Sequence, residues 1–233
     1  MNRPKEPERA ALRVATYNVR RGLGTDSVLN LERTASVIRA TGAAFIALQE
    51  LDRNMERSGR VDQPSLLAEL TGLHVAFWPT LQRRGGEYGI GVAAVEPVDA
   101  AFRRLPRAGS EEPRGAFITK FRGIGIVAAH LSTDAAARPG QMRALIDMAR
   151  ELDGPAILVG DFNMPRHELG PFISAGYAPG DEHRTLISAT GSQIDYILTG
   201  RGVTPTRSWT LSSGASDHVP LVADLAIDAD QAE

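Results

Sequence analysis

The stretch AILVGDFN, residues 156–163, decides how the rest of the chain is read. Its first five residues are apolar or glycine, enough for one buried strand, and the run closes on Asp161 and Asn163. The same arrangement recurs on both sides. LRVATYN ends on Asn18, FIALQE on Glu50, GIGIVAAH on His130 and SQID on Asp195, while SDH opens a last apolar run with Asp217 and His218. Ligand sites in layered α/β proteins lie at strand ends, so these ends are expected to converge on one cleft.

Working outward, strand-like runs occupy 12–18, 45–49, 74–78, 90–95, 116–121, 124–131, 156–160, 194–198, 206–211 and 219–227, most bounded by turn-forming residues. Helical periodicity is clearest over 140–152, where Met142, Leu145, Ile146, Ala149 and Leu152 share one face and Gly154-Pro155 follows as a stop. Two more helices are expected at 30–41, between an Asn30 cap and Gly42, and at 64–71, between Pro64 and Gly72, with a short one after Glu168. Phe121-Arg122-Gly123-Ile124 reads as a tight antiparallel hairpin, which breaks strict βαβ alternation and calls for mixed sheets with helices outside them. The string 82–86 (QRRGG) is either a loop over the cleft or a solvated hairpin tip. No linker divides the chain, so residues 12–228 are expected to form a single domain, with loose tails at 1–11 and 229–233.

Composition narrows the chemistry. Cysteine is absent, which removes disulfides, thiolate metal sites and cysteine nucleophiles, and leaves any metal to oxygen or imidazole. Twenty-six basic against 28 acidic side chains give a net charge of −2, too little for a global field that holds nucleic acid. The first residues lack an apolar leader and no window approaches a membrane span, so a soluble cytoplasmic protein is expected. Glu50, Asp161, Asp195 and Asp217, gathered in one cleft, repel one another unless a cation joins them. Oxygen donors without thiolate favour a hard divalent ion, Mg²⁺ or else Mn²⁺. His130 and His218 are then free to act as base or hydrogen-bond donor.

The strings ATYNVRRG, ALQELD, AAHLS, VGDFN, QIDYIL and SDHVPL resemble, in order and spacing, those of the endonuclease/exonuclease/phosphatase superfamily, which includes deoxyribonuclease I, abasic-site endonucleases, inositol polyphosphate 5-phosphatases and bacterial sphingomyelinases. The resemblance runs from about Arg13 to Leu225. It implies an α/β (α+β) fold like that of deoxyribonuclease I, a four-layer sandwich of two central mixed β-sheets flanked by helices, and metal-dependent hydrolysis of a phosphodiester or phosphomonoester. It also implies roles. Glu50 and Asn18 match positions that hold the divalent ion, with Asp217 nearby. Asp161 and Asn163 match residues that orient the attacking water and the scissile phosphate. His218 matches the histidine that activates water or supports the developing charge, Asp195 its carboxylate partner, and His130 a donor to phosphate oxygen or the leaving group.

Tyr88 in GEYG resembles the segment that family members place by the phosphate, and Arg114 in EPRGA could supply a fork on that phosphate; each reads equally as a loop residue. Two departures from the family pattern stand out. Ile90 in YGIGVA replaces a polar residue of relatives that read YGNAIL, and Arg20-Arg21-Gly22 replaces HHG, bringing Arg21 toward the site as a substrate-binding candidate.

The leading expectation is a Mg²⁺-dependent phosphoesterase, monomeric, acting on a small or lipid-derived substrate. The alternative is a nuclease on DNA or RNA, for which Arg20, Arg21, Arg83, Arg84, Arg103, Arg104 and Arg107 would have to form one basic rim. A non-catalytic phosphate-binding module would be expected to lack one of Glu50, Asp161, Asn163, Asp195 or His218, and all are present. His74, His167 and His183 read as ordinary surface or loop histidines, and Trp78 and Trp209 as core.

Overall fold

The protein is described by a computed structural model covering residues 10–187 and 191–228. Two six-stranded sheets carry the fold. The first runs β11-β12-β1-β2-β4-β3, from β1 (Ala10–Asn18), β2 (Phe45–Arg53), β3 (His74–Arg83), β4 (Gly86–Ala94), β11 (Val203–Thr210) and β12 (Leu221–Ile227). The second runs β5-β6-β7-β8-β10-β9, from β5 (Ala100–Arg104), β6 (Gly115–Phe121), β7 (Ile124–His130), β8 (Ala156–Asp161), β9 (Ala178–Pro179) and β10 (Asp195–Thr199).

At the centre of each sheet lies one parallel pair, β1 with β2 and β7 with β8, every other pairing being antiparallel. A parallel pair needs a long crossover, and a helix supplies it in both sheets: α1 (Leu31–Thr41) and α3 (Arg138–Arg150). Asn18 is therefore in register with Gln49, and His130 with Asp161; Asn18, His130 and Asp161 stand at the carboxyl ends of their strands, whereas β2 runs on past Gln49.

Side chains alternate across each strand and so sort into two interfaces. Val14, Phe45, Ala47 and Val92 of the first sheet meet Phe117, Ile126, Ile157 and Val159 of the second in a shared core. Phe45 reaches across to Phe121 with ring centroids 5.3 Å apart, each buried ring contributing about 2–3 kcal/mol. The alternate residues Ala15, Ile46 and Leu48 face Leu31, Ala35 and Ile38 of α1 and Leu67 of α2 (Gln63–Thr71). On the opposite side Val127, Ala129 and Leu158 pack under Met142, Leu145 and Ala149 of α3 and Phe172 of α4 (Gly170–Ser174). The result is helix, sheet, sheet, helix, the four-layer arrangement expected above.

Capping follows the sequence signals. The Asn30 side chain accepts the Arg33 N–H at 2.7 Å and Gly42 closes α1 in a left-handed conformation; Asp62 and Gly72 do the same for α2. Other boundaries differ. β1 starts at Ala10, so Ala10 and Ala11 pair with Ile227 and Ala226 rather than belonging to a loose tail. Residues 1–9 and 229–233 lie outside the described residues. α3 begins two residues ahead of the expected 140, because Pro139 suits a first helical turn, and it stops at Arg150. The string 82–86 is a hairpin tip, with Arg84 and Gly85 both at positive φ between β3 and β4, and is not a loop over the cleft. Strands β5 and β9 were not anticipated.

Trp78 stacks 4.5 Å from Phe117 beside the shared core, whereas Trp209 is half-buried between the guanidinium groups of Arg13 and Arg207. His74 and His167 are exposed. His183 is half-buried, with Nε2 at 2.8 Å from the Ser208 hydroxyl. No described helix is long and apolar enough to cross a membrane.

Candidate active site

Asp161 is the hub. It ends β8 between His130 of β7 and Asp195 of β10, each directly in register with it. Asp195 therefore opens its strand, as the run expected over 194–198 has it, and because β10 runs antiparallel to β8 it falls at the same edge as the strand ends. One Asp161 oxygen, Oδ2, accepts the Asn18 amide at 2.9 Å, which ties the two sheets together, and lies 3.5 Å from Nε2 of His130 and 3.9 Å from Nε2 of His218. The other, Oδ1, accepts the backbone N–H of Asn163 at 2.9 Å. The glycine of GDFN is required by this closeness: a Cβ on Gly160 would stand 1.9 Å from the Ala129 carbonyl oxygen.

Asp195 Oδ2 lies 2.9 Å from Nδ1 of His218. Two hydroxyls that the sequence reading passed over hold this pair. Thr185 Oγ1 accepts the backbone N–H of Asp195 at 3.2 Å, and Ser216 donates to the Asn18 carbonyl while accepting the His218 N–H. Ser216 stands inside the quoted SDH string, but Thr185 lies in a loop with no pattern around it. Arg138, also missed, is buried and donates to the Asn163 carbonyl, fixing the backbone beside Asp161.

Glu50 sits within β2 rather than at its end, in a bulge where the β2–β4 register shifts between Leu48 and Leu51. Its φ is +60°, as Asn163 has +50° and Arg20 and Arg21 have +46° and +51°. Such left-handed non-glycine residues cost on the order of 1 kcal/mol or more each and collect at sites that need a side chain re-aimed. The Asn18 amide nitrogen also donates to Glu50 Oε1 at 3.0 Å, so one amide serves two carboxylates. Among the described residues no Arg or Lys pairs with Glu50 or Asp161. Asp195 Oδ1 is buried with no hydrogen-bond partner. The oxygens of Glu50, Asn18 and Asp161, with negative charge in excess, fit a hard divalent cation. Among the described residues Asp161, Asp195 and His218 form the one group whose ligand atoms lie within 4.8 Å of each other. Asp217 stands apart from it, half-exposed, with Oδ2 at 3.2 Å from Nε of Arg20.

Charge follows environment. Burial and then the Asp195 charge push the Asp161 carboxyl up to about 7, against the pull of His218 and Asn18. Burial pushes the His218 imidazole down, but the charge and hydrogen bond of Asp195, helped by Asp161 and Asp217, outweigh it and raise it to about 10. His130 goes the other way: burial, then the charges of Arg114 and His218, hold it well below its ordinary 6.5. The two imidazoles are thus pushed in opposite directions, His218 toward the cation and His130 toward the neutral ring.

The three substrate-binding candidates divide. Tyr88 and Arg114 are both buried and both gather at His130: Arg114 Nη1 is 3.0 Å from His130 Nδ1, 3.4 Å from the Tyr88 hydroxyl and 2.9 Å from Glu112 Oε1. Arg21 lies in the left-handed turn after β1, where its carbonyl accepts the Gln63 amide at 2.7 Å. Ile90, the departure in YGIGVA, is packed in the core between the sheets. A cleft of about 970 Å³ runs along the segments that follow Asn163 and precede Asp195, lined among others by Arg166, His167, His183, Arg184 and Gln193.

Solved structures share this architecture. An endonuclease/exonuclease/phosphatase from Beutenbergia cavernae DSM 12333 superposes with a TM-score of 0.79 at 23% identity, covering 94% of this chain and 72% of that one. A mannosyl-6-phosphatase of Bacteroides thetaiotaomicron VPI-5482 gives 0.70 at 18%, covering 93% and 100%. The catalytic domain of human nocturnin gives 0.67 at 18%, covering 97% and 100%. No curated protein matches the chain. The family model for the endonuclease/exonuclease/phosphatase family matches residues 15–218, and with the fold these relatives share, the chain belongs to that family.

Proposed function

We propose that this chain is a Mg²⁺-dependent phosphoesterase, with Mn²⁺ as a substitute, acting as a monomer in the cytoplasm on a small or lipid-derived phosphate ester. The observation that carries the reading is the convergence of Asn18, His130 and His218 on one oxygen of Asp161. Glu50 and Asn18, joined to each other and to Asp161, are the residues that would hold the ion; Asp217, which the resemblance also assigned to it, is engaged by Arg20 instead. Bound there, it supplies Lewis-acid polarisation of a phosphate oxygen and offsets the carboxylate charge.

The chain's own groups do the rest. Asp161, held by the Asn163 N–H and the Asn18 amide, orients the attacking water and accepts a hydrogen bond from it. The new P–O bond forms in line with the P–O bond that breaks; the water's proton passes to the Asp161 carboxylate, the leaving oxygen takes up a proton from solvent, and negative charge rises on the remaining phosphoryl oxygens in between. His218, cationic and steadied by Asp195, donates from Nε2 to one of them, and His130 faces the same space from the opposite strand.

A small substrate is favoured over nucleic acid because part of the basic rim is tied up: two of its seven arginines are neutralised by carboxylates and two more are held by backbone carbonyls. Arg103 is paired with Glu151, Arg20 with Asp217, and Arg104 and Arg107 donate to the carbonyls of Thr80 and Glu111. Hydrolysis of bis-p-nitrophenyl phosphate, p-nitrophenyl phosphate and supercoiled plasmid, compared at equal enzyme and Mg²⁺, tests the reading. Turnover of a small ester without plasmid nicking is expected; nicking faster than small-ester turnover would replace this reading with a nuclease.

A further inference from the structure

Two histidines face Asp161 from opposite sides, and the partners behind them differ in kind. Behind His218 stands a carboxylate, Asp195, which only accepts; behind His130 stands a guanidinium, Arg114, which only donates. With Nη1 at 3.0 Å, Nδ1 of His130 must offer its lone pair. The ring proton then has one place to go. We infer that Arg114 is a positioning residue that locks His130 as its Nε2–H tautomer, making His130 a fixed hydrogen-bond donor toward the space beside Asp161.

The fold explains how residue 114 reaches its target. Gly115 is in register with His130 on the neighbouring strand, so Arg114 stands at the mouth of β6 with its carbonyl accepting the Leu105 N–H at 3.0 Å. Its side chain is 10% exposed, too enclosed to swing outward, and Glu112 and Tyr88 hold the same Nη1 from the other sides. Nε2 of His130 points toward an acceptor, Asp161 Oδ2, at 3.5 Å, a long contact that leaves this N–H available to a phosphoryl oxygen approaching beside the pair. The same arrangement gives Arg114 a task other than the phosphate fork that the sequence suggested. The donor role toward phosphate rests on the phosphoesterase reading; the tautomer does not.

Long-range ¹H–¹⁵N correlation spectra of the whole labelled protein at neutral pH read the tautomer directly, with the His130 signals identified by their absence from His130→Gln. Nδ1 of His130 is expected to have the shift of a bare ring nitrogen and Nε2 that of an N–H. Arg114→Met, similar in length but without donors, is expected to mix the tautomers and to lower kcat on p-nitrophenyl esters by about 10- to 100-fold with KM nearly unchanged, and Arg114→Lys to recover part of both. A proton on Nδ1 in the wild type overturns the inference. So does an unchanged tautomer in Arg114→Met, or a loss confined to KM, which would mark a phosphate contact. If Arg114→Met does not fold, the wild-type and Arg114→Lys spectra decide. Absence of any phosphoesterase activity, with the Nε2–H tautomer intact, removes the functional reading and leaves the tautomer assignment standing.

Discussion

Nδ1 of His218 lies 2.9 Å from Oδ2 of Asp195, and Asp195 itself is paired in register with Asp161 across the β8–β10 ladder. The imidazole is thus held between two carboxylates, one that fixes its orientation and one that it faces. Asp195→Asn keeps the shape and removes the charge. It is expected to lower kcat by about 10³- to 10⁴-fold, as loss of a histidine's orienting carboxylate does elsewhere, with a smaller change in KM. The His218 titration followed by NMR is expected to fall from near 10 toward the ordinary range in the same variant. A variant that keeps wild-type kcat would remove the orienting role.

Stability in EDTA is expected to decline as pH rises above 6.5. The folded-state value of His218, about 10, stands above its ordinary 6.5, so its contribution is complete below 6.5 and lost as pH climbs to 10. The Asp161 value, about 7 against 3.8, has the same sign at lower pH, but His130, held well below 6.5, contributes with the opposite sign there, so the two oppose each other below 6.5 and the decline is read above it. Urea unfolding at a series of pH values tests this. A decline of a few kcal/mol from pH 6.5 to 10 is expected, largely missing in His218→Gln; stability that rises toward pH 9 would contradict it.

Gly160→Ala is expected to be among the most damaging single-atom additions in the chain. The new methyl would meet the Ala129 carbonyl of the neighbouring strand at 1.9 Å, and the local φ of +146° is one that alanine avoids. A loss of about 4 kcal/mol or more, read from the urea midpoint, follows from forcing apart the parallel pair that carries His130 and Asp161. A loss below about 1 kcal/mol would show that β7 and β8 separate easily.

Glu50→Gln removes one negative charge from the oxygen-donor set while keeping the bulge. Wild-type protein is expected to melt several degrees higher in millimolar Mg²⁺ than in EDTA, because binding to the folded state alone stabilises it by mass action. The shift is expected to shrink in Glu50→Gln, whose melting point in EDTA stays at or above that of the wild type. Equal Mg²⁺ shifts in both proteins would move the ion away from Glu50.

Much of this was legible in the chain. Each parallel strand has both faces buried and reads as a continuous apolar run, so the polar residue that ends it stands out, as Asn18, His130 and Asp161 do. Asp195 was identified, and the strand expected over 194–198 already set it at the start of what is β10. The short edge strands β5 and β9 were missed: AAFRR carries two charges and β9 holds only Ala178 and Pro179, so neither has a buried face to impose a pattern. Thr185 and Arg138 were invisible for a different reason. They act through hydrogen bonds to backbone groups brought near by folding, and no spacing in the sequence records such a meeting.

The most direct measurement is turnover of bis-p-nitrophenyl phosphate and p-nitrophenyl phosphate by the wild type and Asp161→Asn, each with Mg²⁺ and with EDTA, beside circular dichroism of both proteins. Wild-type turnover that needs Mg²⁺ and drops by about 10³-fold or more in a folded Asp161→Asn protein is the expected result. Turnover that survives EDTA, or that Asp161→Asn leaves at the wild-type rate, would contradict the assignment of Asp161 as the centre of the site.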